Sequence, residues 1–217
     1  MKNLLYIAFL TLTLIGCKQK ETQKQPEPTL STAEKIANAH GFEHWNHINE
    51  IDFTFAGARH WKWSPKTNAV TYTKDTITVA YNRAMVDSTT IPIDRAFVND
   101  KFWLLIPFQL VWDKSASISE AKKTTAPISK KEINQITITY PSDGGGYTPG
   151  DAYDIYFDDE FIIREWAFRK GNKPEPSLVN TFENYQDFNG IKIALEHTKA
   201  EGDWNLKFSD VEVILEP

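Results

Sequence analysis

The sequence predicts an α+β fold that is mainly β: a strongly curved antiparallel sheet (an unclosed β-barrel) with helices packed in its concave face. Alternation of apolar and polar residues predicts about nine or ten strands, against two or three helical segments. The helical segments precede the first strand and separate the two groups of strands, so they can reach one side. A sheet of this length exposes two edges unless it closes or curls.

A helix is predicted at the start of the folded part. Ser31 and Glu34 have the spacing of a capping box, which marks a helix N-terminus. Ile36 begins a short apolar face, and Gly41 is expected to end the helix. A second, shorter turn is predicted over residues 42–48.

From residue 50 onward, alternating apolar residues predict a meander of short antiparallel strands. The alternating residues are Ile51, Phe53 and Phe55; Trp61 and Trp63; Val70 and Tyr72; and Ile77, Val79 and Tyr81. Turns are predicted at residues 65–68 and at Lys74 and Asp75. We therefore expect Trp61 and Trp63 to share one face of their strand.

A dense apolar cluster between Asp94 and Leu110 predicts a helix. Its apolar residues recur near the 3.6-residue helical period, Asp94 is placed to cap it, and Pro107 is expected to end it. A buried strand is the alternative, because a short apolar run fits either structure.

The C-terminal half is predicted to be a polar loop followed by strands. Residues 114–131 show little periodicity, which predicts a loop with at most one helical turn. Strands are predicted around Ile136, Ile138 and Tyr140; Tyr153, Ile155 and Phe157; residues 161–169 and 181–188; Ile191, Ile193 and Leu195; and Trp204, Leu206 and Phe208. Asn189-Gly190 is the strongest short signal for a hairpin.

The N-terminus has the pattern of an export signal. Lys2 precedes an apolar run over residues 4–15, which is too short to span a membrane. Residues 14–17, Leu-Ile-Gly-Cys, resemble the lipobox of bacterial lipoproteins, whose cysteine receives a diacylglycerol and becomes the new N-terminus. Cys17 is the only cysteine, so it has no disulfide partner within the chain. An ordinary signal peptide with an unrelated cysteine is the alternative.

These features divide the chain into three parts. Residues 1–16 are predicted to be a lipoprotein signal peptide, residues 17–29 the acylated cysteine and a disordered tether, and residues 30–217 one domain. The net charge of −5 argues against nucleic acid as a partner, since that requires a basic surface. Membrane attachment is therefore expected through the N-terminal lipid anchor.

From residue 31 to the C-terminus, the chain resembles the LolA/LolB-like superfamily of bacterial lipoprotein-sorting proteins. The resemblance lies in the helix ending at His40-Gly41, in the block FVNDKFWLLIP at residues 97–107, and in YQDFNGIKI at residues 185–193. It implies an unclosed β-barrel with a helical lid around an apolar cavity for acyl chains. The soluble carrier of that superfamily is not acylated, whereas this chain has the lipobox pattern, as the outer-membrane acceptor does.

The sequence gives only weak evidence for a catalytic or metal-binding site. His40, His44 and His47 would align as zinc ligands on one continuous helix, but Gly41 is expected to break it and no cysteine or carboxylate completes the set. The glycine-rich residues 142–150 lack the ligand spacing of a calcium loop. There is no G-x-S-x-G motif, so we expect no enzymatic activity, cofactor or metal.

The excess of aromatic residues is the one functional indication in the domain. A ligand-binding apolar cavity is predicted from Trp61, Trp63, Phe102, Trp103, Trp166, Phe168 and Arg164. Arg164 must either be exposed or contact a polar head group, because a buried guanidinium is costly unless it is paired. A filled core is the alternative for any one aromatic residue.

The expected function is that of a membrane-anchored envelope lipoprotein that binds a lipid or acyl chain, with a role in lipid or lipoprotein trafficking. Lys18 after the cysteine favours the outer membrane, facing the periplasm, by analogy with the sorting rule of enterobacteria. Another envelope protein is a further expected partner. The alternatives are a structural or interaction lipoprotein with a filled core, and an envelope hydrolase or metal-binding protein.

Overall fold

The computed structural model describes residues 29–143 and 149–216, which form a mainly β structure. Strands account for 45% of these residues and helices for 22%, so the mainly β prediction is confirmed. The predicted signal peptide, Cys17 and nearly all of the predicted tether lie outside the described residues, as do residues 144–148 of the glycine-rich segment. No helix within the described ranges is long and apolar enough to cross a bilayer.

The described residues form thirteen strands, three α-helices and three short 3-10 turns. The helices are α1 (Thr32–Ala39), α2 (Ile91–Leu104) and α3 (Ile106–Trp112), and the 3-10 turns are Phe42–His47, Arg83–Met85 and Lys170–Asn172. The strands are β1 (Ile48–Phe55), β2 (Arg59–Ser64), β3 (Ala69–Lys74), β4 (Ile77–Asn82), β5 (Ser117–Ile118), β6 (Lys122–Thr125), β7 (Glu132–Thr139), β8 (Ala152–Phe157), β9 (Ile163–Arg169), β10 (Leu178–Thr181), β11 (Glu183–Phe188), β12 (Ile191–Thr198) and β13 (Asn205–Leu215).

The strands form two antiparallel sheets, neither of which closes. The first sheet has the order β11-β12-β13-β1-β2-β3-β4, so the last strand lies between β12 and β1. The second sheet has the order β10-β9-β8-β7, and both β5 and β6 pair with the remaining side of β7. All of these pairings are antiparallel.

The chain passes from the second sheet to the first at one residue, Phe182. β10 pairs with β9 before it, and β11 pairs with β12 after it. The Phe182 N–H donates to the Arg164 carbonyl oxygen at 2.7 Å. The Thr198 N–H donates to Thr181 Oγ1 at 2.9 Å, which links β12 to the end of β10. The two sheets therefore meet at this position.

Several local predictions are confirmed. Ser31 Oγ accepts from the Glu34 N–H at 3.2 Å, and the Glu34 carboxylate accepts from the Ser31 N–H at 2.8 Å, so the capping box forms. Asn189-Gly190 joins β11 to β12 as a two-residue hairpin. Trp61 and Trp63 are both buried on one face of β2.

The predicted helix between Asp94 and Leu110 is two helices, and its expected boundaries were wrong. α2 begins at Ile91, three residues earlier than expected, and the helix is interrupted at Leu105, which lies between α2 and α3. Pro107 lies in the first turn of α3. Backbone N–H groups in a first turn have no acceptor within the helix, so proline costs no helical hydrogen bond there. Asp94 accepts from Arg83 Nε at 2.8 Å instead of capping a helix.

The predicted loop over residues 114–131 was also wrong in part, because it contains β5 and β6. β6 reads Lys-Lys-Thr-Thr and is largely exposed at the side of β7. Such a strand buries no apolar face, so it lacks the alternation on which a sequence-based prediction depends.

The two helices α2 and α3 pack against both sheets. Phe97 and Leu104 belong to the apolar cluster of the first sheet, together with residues of β1, β2, β12 and β13. Phe102 and Ile106 belong to the cluster of the second sheet, together with residues of β7, β8 and β9. α2 therefore buries two faces, unlike a surface helix with a single apolar stripe.

A buried carboxylate fixes α2 to the first sheet. Asp100 is fully buried and accepts from Arg59 Nε at 2.7 Å, from Arg59 Nη2 at 2.8 Å and from Trp61 Nε1 at 2.8 Å. Asn99 Nδ2 donates to the same carboxylate at 2.9 Å. Near the start of α2, the hydroxyl of Tyr81 donates to Asp94 at 3.0 Å. Asp100 thus binds α2 to β2, and Asp94 binds it to β4 and to the 3-10 turn that follows β4.

Two glycines allow the N-terminal segment to approach the β11–β12 hairpin. Gly41 has a φ of +91°, and a Cβ at this position would lie 1.8 Å from the Gly190 carbonyl oxygen. The Lys192 N–H donates to the His40 carbonyl oxygen at 3.0 Å. A side chain at residue 41 would separate these backbones.

We expect Asp100→Asn to lower the free energy of unfolding by about 2–4 kcal/mol, because Arg59 and Trp61 lose their charged acceptor. Arg59 is 30% exposed, which keeps the loss below that of a fully buried pair. Urea denaturation measures it. The matched control is Asp159→Asn, whose carboxylate is 84% exposed and should leave the curve unchanged. Equal effects of the two substitutions would contradict the role given to Asp100.

We expect Gly41→Ala to destabilise the protein by about 3 kcal/mol or more, because its Cβ meets backbone and its φ is positive. Gly57→Ala is the control, since Gly57 has a φ of +63° but no heavy atom within 4 Å of the added Cβ. It should lose only about 1–2 kcal/mol. Thermal unfolding distinguishes the two, and a Gly41→Ala protein as stable as Gly57→Ala would rule out the close approach.

Candidate functional site

A cavity of about 240 Å³ lies between α2 and the strands β8, β9 and β10. We call it the aromatic cavity, and its described lining residues are Asn99, Phe102, Trp103, Tyr153, Trp166, Phe168 and Leu178. Four of the seven residues that the sequence singled out therefore meet here: Phe102, Trp103, Trp166 and Phe168.

Strand register places the lining residues of the second sheet side by side. Phe168 on β9 lies opposite Tyr153 on β8 and opposite Leu178 on β10. Trp166 comes two residues before Phe168, so it lies on the same face of β9. The centroids of the Tyr153 and Phe168 rings are 4.9 Å apart, and those of Tyr153 and Trp166 are 5.1 Å apart. These strands thus provide a continuous apolar wall.

The opposite wall comes from two consecutive residues of α2. The Phe102 ring centroid lies 4.9 Å from that of Tyr153, and the Trp103 centroid lies 4.5 Å from that of Trp166. Aromatic pairs at these separations are attractive beyond the area that they bury. Aromatic contacts therefore join α2 to the second sheet at this cavity.

The indole N–H of Trp166 has its hydrogen-bond acceptor inside the protein. Trp166 is 1% exposed, and its Nε1 donates to the side-chain oxygen of the fully buried Asn180. Asn180 Nδ2 in turn donates to the Thr181 carbonyl oxygen at 3.0 Å. Trp166 consequently needs no polar partner from a ligand and offers apolar surface.

One side of the cavity is open to solvent. Asn99 is exposed, and Trp103, Phe168 and Leu178 are half-buried, whereas Phe102 is buried. Trp103 also faces Trp204, which is 36% exposed and whose centroid lies 6.4 Å away. A ligand can therefore enter beside these half-buried residues.

A neutral histidine lies behind the cavity wall. The ring centroid of His197 is 5.4 Å from that of Trp103, and His197 Nδ1 donates to the Thr181 carbonyl oxygen at 3.0 Å. Burial lowers the pKa of His197 to about 4, so the ring is uncharged at neutral pH. Tyr153 is the one described lining residue with a titratable side chain, and none is an aspartate, glutamate, histidine, lysine or arginine. The described lining is therefore suited to burying an apolar group.

The two tryptophans of β2 do not reach the aromatic cavity. Trp61 is fully buried in the first-sheet core, where its ring centroid lies 5.4 Å from that of Phe97. Trp63 is 5% exposed and lines a different cavity on the other side of α2. α2 lies between these residues and the second sheet.

Arg164 also lies outside the aromatic cavity, because β9 carries a bulge. Tyr156 lies opposite Glu165 and the next residue, Phe157, lies opposite Ile163, so Arg164 has no partner on β8. Its guanidinium lies 2.7 Å from Asp158 in an ion pair that leaves the Arg164 side chain 47% exposed. It lines a separate surface cleft of about 640 Å³ beside Tyr185.

The three histidines near the N-terminus are separated by the turn at Gly41. His40 is fully buried, with Nδ1 donating to the Ile36 carbonyl oxygen at 2.8 Å, and burial lowers its pKa to about 4. His44 and His47 are exposed. Within residues 29–143 and 149–216, no group of three potential metal ligands comes together.

Three lining residues, Asn99, Tyr153 and Leu178, are not among those that the sequence predicted. Tyr153 carried a signal, since it belongs to a predicted alternating strand, but its position opposite Phe168 depends on which strands pair. Leu178 lies in the four-residue strand β10, which is too short for a clear alternation.

The chain was compared with models of protein families, with curated proteins and with solved structures, and none of them matches it. The geometry and chemistry of the aromatic cavity are therefore the basis on which a function is inferred.

Proposed function

We propose that this chain is a membrane-anchored envelope lipoprotein that binds a lipid or acyl chain in the aromatic cavity, as a divergent member of the LolA/LolB-like superfamily. The observation that carries the proposal is the lining itself: six of its seven described residues are aromatic or aliphatic, and none is charged. Burial of an acyl chain contributes roughly 0.8 kcal/mol per methylene, so such a site needs no charged group for affinity.

The size of the cavity implies that it must widen to hold a whole acyl chain. Ligand pockets usually measure about 300–1,000 Å³, whereas this one measures about 240 Å³. At its present volume the cavity accepts the end of a chain, and further methylenes enter as α2 moves away from the second sheet.

The contacts of α2 favour such a movement on one side only. Towards the first sheet, α2 is held by the directional hydrogen bonds of Asp94 and Asp100. Towards the second sheet, Phe102 and Trp103 make aromatic contacts with Tyr153 and Trp166, and an acyl chain can replace apolar contacts of this kind. In this proposal α2 is the lid, and it stays attached to the first sheet as the cavity opens.

The finer architecture that we propose is one curved, unclosed barrel made of both sheets, with the helices on its concave side. Two observations support it. The chain runs from β10 through Phe182 directly into β11, so one extended segment belongs to both sheets. α2 and α3 contribute residues to both apolar clusters, as helices enclosed by such a barrel would.

The anchor limits where the domain acts. Thirteen residues lie between Cys17 and Ser31, and the fully extended chain from one to the other reaches at most about 50 Å. We propose that the domain works within this distance of the outer membrane, on its periplasmic face, and that another envelope protein delivers or receives the ligand. No catalytic step, cofactor or nucleic acid enters this proposal.

We expect Leu178→Trp to weaken binding of a dansyl-labelled fatty acid by about tenfold or more, because the larger side chain fills the cavity and excludes two or three methylenes. Val179→Trp is the matched control: the next residue on β10 packs against Ala126, Tyr156 and Ala167, on the opposite face of the sheet. Fluorescence titration of the mature chain, with Cys17→Ser to prevent acylation, measures the affinity.

Mass spectrometry of lipids extracted from the purified protein provides an independent readout. A chain that carries no lipid, and whose Leu178→Trp variant binds the probe as well as Val179→Trp does, would favour the filled-core alternative over this proposal.

We expect Cys17→Ser to abolish incorporation of radiolabelled palmitate in cells and to move the protein from the membrane fraction to the soluble fraction. The physical reason is that the acyl chains are the proposed membrane attachment. Palmitate incorporation that persists in the variant would contradict lipidation at Cys17.

A further inference from the structure

A second cavity, of about 270 Å³, lies on the other side of α2. We call it the indole cavity, and its described lining residues are Trp45, Asn46, Ile48, Trp63, Pro65, Lys66, Lys101 and Trp112. Among the described residues, it shares none with the aromatic cavity.

Four separate elements bring the three indoles and a lysine together. Trp45 lies in the 3-10 turn after Gly41, Trp63 on β2, Trp112 at the end of α3, and Lys101 on α2. The centroid of the Trp45 ring is 4.5 Å from that of Trp112 and 5.7 Å from that of Trp63. The cavity is therefore walled by flat aromatic surfaces.

Lys101 brings a positive charge without a counterion into this cavity. Its Nζ lies 5.1 Å from the Trp112 ring centroid and 5.8 Å from the Trp63 ring centroid, within the range of cation–π attraction. It forms no salt bridge with any residue that the structure describes, and its hydrogen bond to Gln109 Oε1 is long, at 3.5 Å.

Burial lowers the pKa of Lys101 to about 8, so most of the ammonium remains protonated at neutral pH. The neighbouring charges act in both directions. Arg83 lowers the pKa further, whereas Asp113 and Asp94 raise it. Lys66, at the edge of the cavity, is paired with Glu216 at 2.5 Å.

A second donor in the same cavity wall lacks an acceptor. Trp63 is 5% exposed, and its Nε1 is buried without a hydrogen-bond partner among the described residues. An unpaired buried donor is destabilising. Lys101 and Trp63 thus both lack a good acceptor, and no described lining residue is acidic.

We propose that the indole cavity is a second binding site, which takes a small carboxylate carried on a flat apolar ring system. The carboxylate binds the Lys101 ammonium, and the rings stack among the indoles. The volume lies just below the usual range of ligand pockets, which suits a compact ligand of one or two rings. The proposal does not depend on acyl-chain binding in the aromatic cavity.

Isothermal titration calorimetry with 2-naphthoate and 2-naphthamide tests the proposal on the mature chain carrying Cys17→Ser. The two probes share their rings and differ in charge. We expect naphthoate to bind about tenfold more tightly or better, because its charged acceptor pairs with the ammonium. Affinity for naphthoate should fall as the pH rises from about 7 to about 10, since Lys101 loses its proton while the ligand stays ionised.

Substitutions locate the site. Lys101→Met keeps the apolar stem and should remove the preference for naphthoate, and Trp63→Phe should weaken binding of both probes by loss of indole surface. Lys35→Met is the matched control, because the Lys35 ammonium also lies over an aromatic ring, 5.6 Å from the centroid of Phe161, but on α1. It should bind naphthoate as the unsubstituted chain does.

Three results would overturn the proposal: no naphthoate binding, equal affinity for the acid and the amide, or unchanged binding in Lys101→Met. If Lys101→Met does not fold, as judged by circular dichroism, the acid–amide comparison and the pH profile of the unsubstituted chain still decide. Leu178→Trp should leave naphthoate binding unchanged, so failure at one cavity is distinguishable from failure at the other.

Discussion

The position of α2, and with it both cavities, depends on the carboxylate of Asp100. A buried carboxylate is tolerated only when its oxygens are well paired, and here Arg59 and Trp61, both on β2, supply the donors. Because these hydrogen bonds are directional, they fix the rotation of the helix as well as its distance from the strand. Every side chain that α2 presents takes its direction from this constraint.

That constraint lets consecutive residues of α2 serve two chemically different surfaces. Lys101 faces the indoles next to the first sheet, whereas Phe102 and Trp103 face the aromatic wall of the second. The side of α2 towards the first sheet carries the Lys101 charge and is held by hydrogen bonds. The side towards the second sheet carries Phe102 and Trp103 and is held by aromatic contacts. A helix buried on both sides therefore separates the site proposed for an acidic ring compound from the site proposed for an acyl chain.

Local signals in the sequence predicted local structure well. The capping box at Ser31, the hairpin at Asn189-Gly190 and the shared face of Trp61 and Trp63 depend on neighbouring residues only. The bulge that displaces Arg164 and the meeting of Tyr153 with Phe168 depend on register between strands, which alternation does not specify. Lys101 was missed because its neighbours come from other elements: a 3-10 turn, β2 and α3.

The pairing of β1 with β13 governs how the chain can fold. The first sheet contains the earliest and the latest strands as direct neighbours, with Ile48 opposite Leu215. Contacts between residues so distant in sequence form slowly, because a long loop must close first. The first sheet cannot be completed before residues 205–215 are available to pair with β1. Loss of the eleven residues of β13 would remove a central strand and not an edge, so the pairing of β13 governs when the first sheet becomes stable.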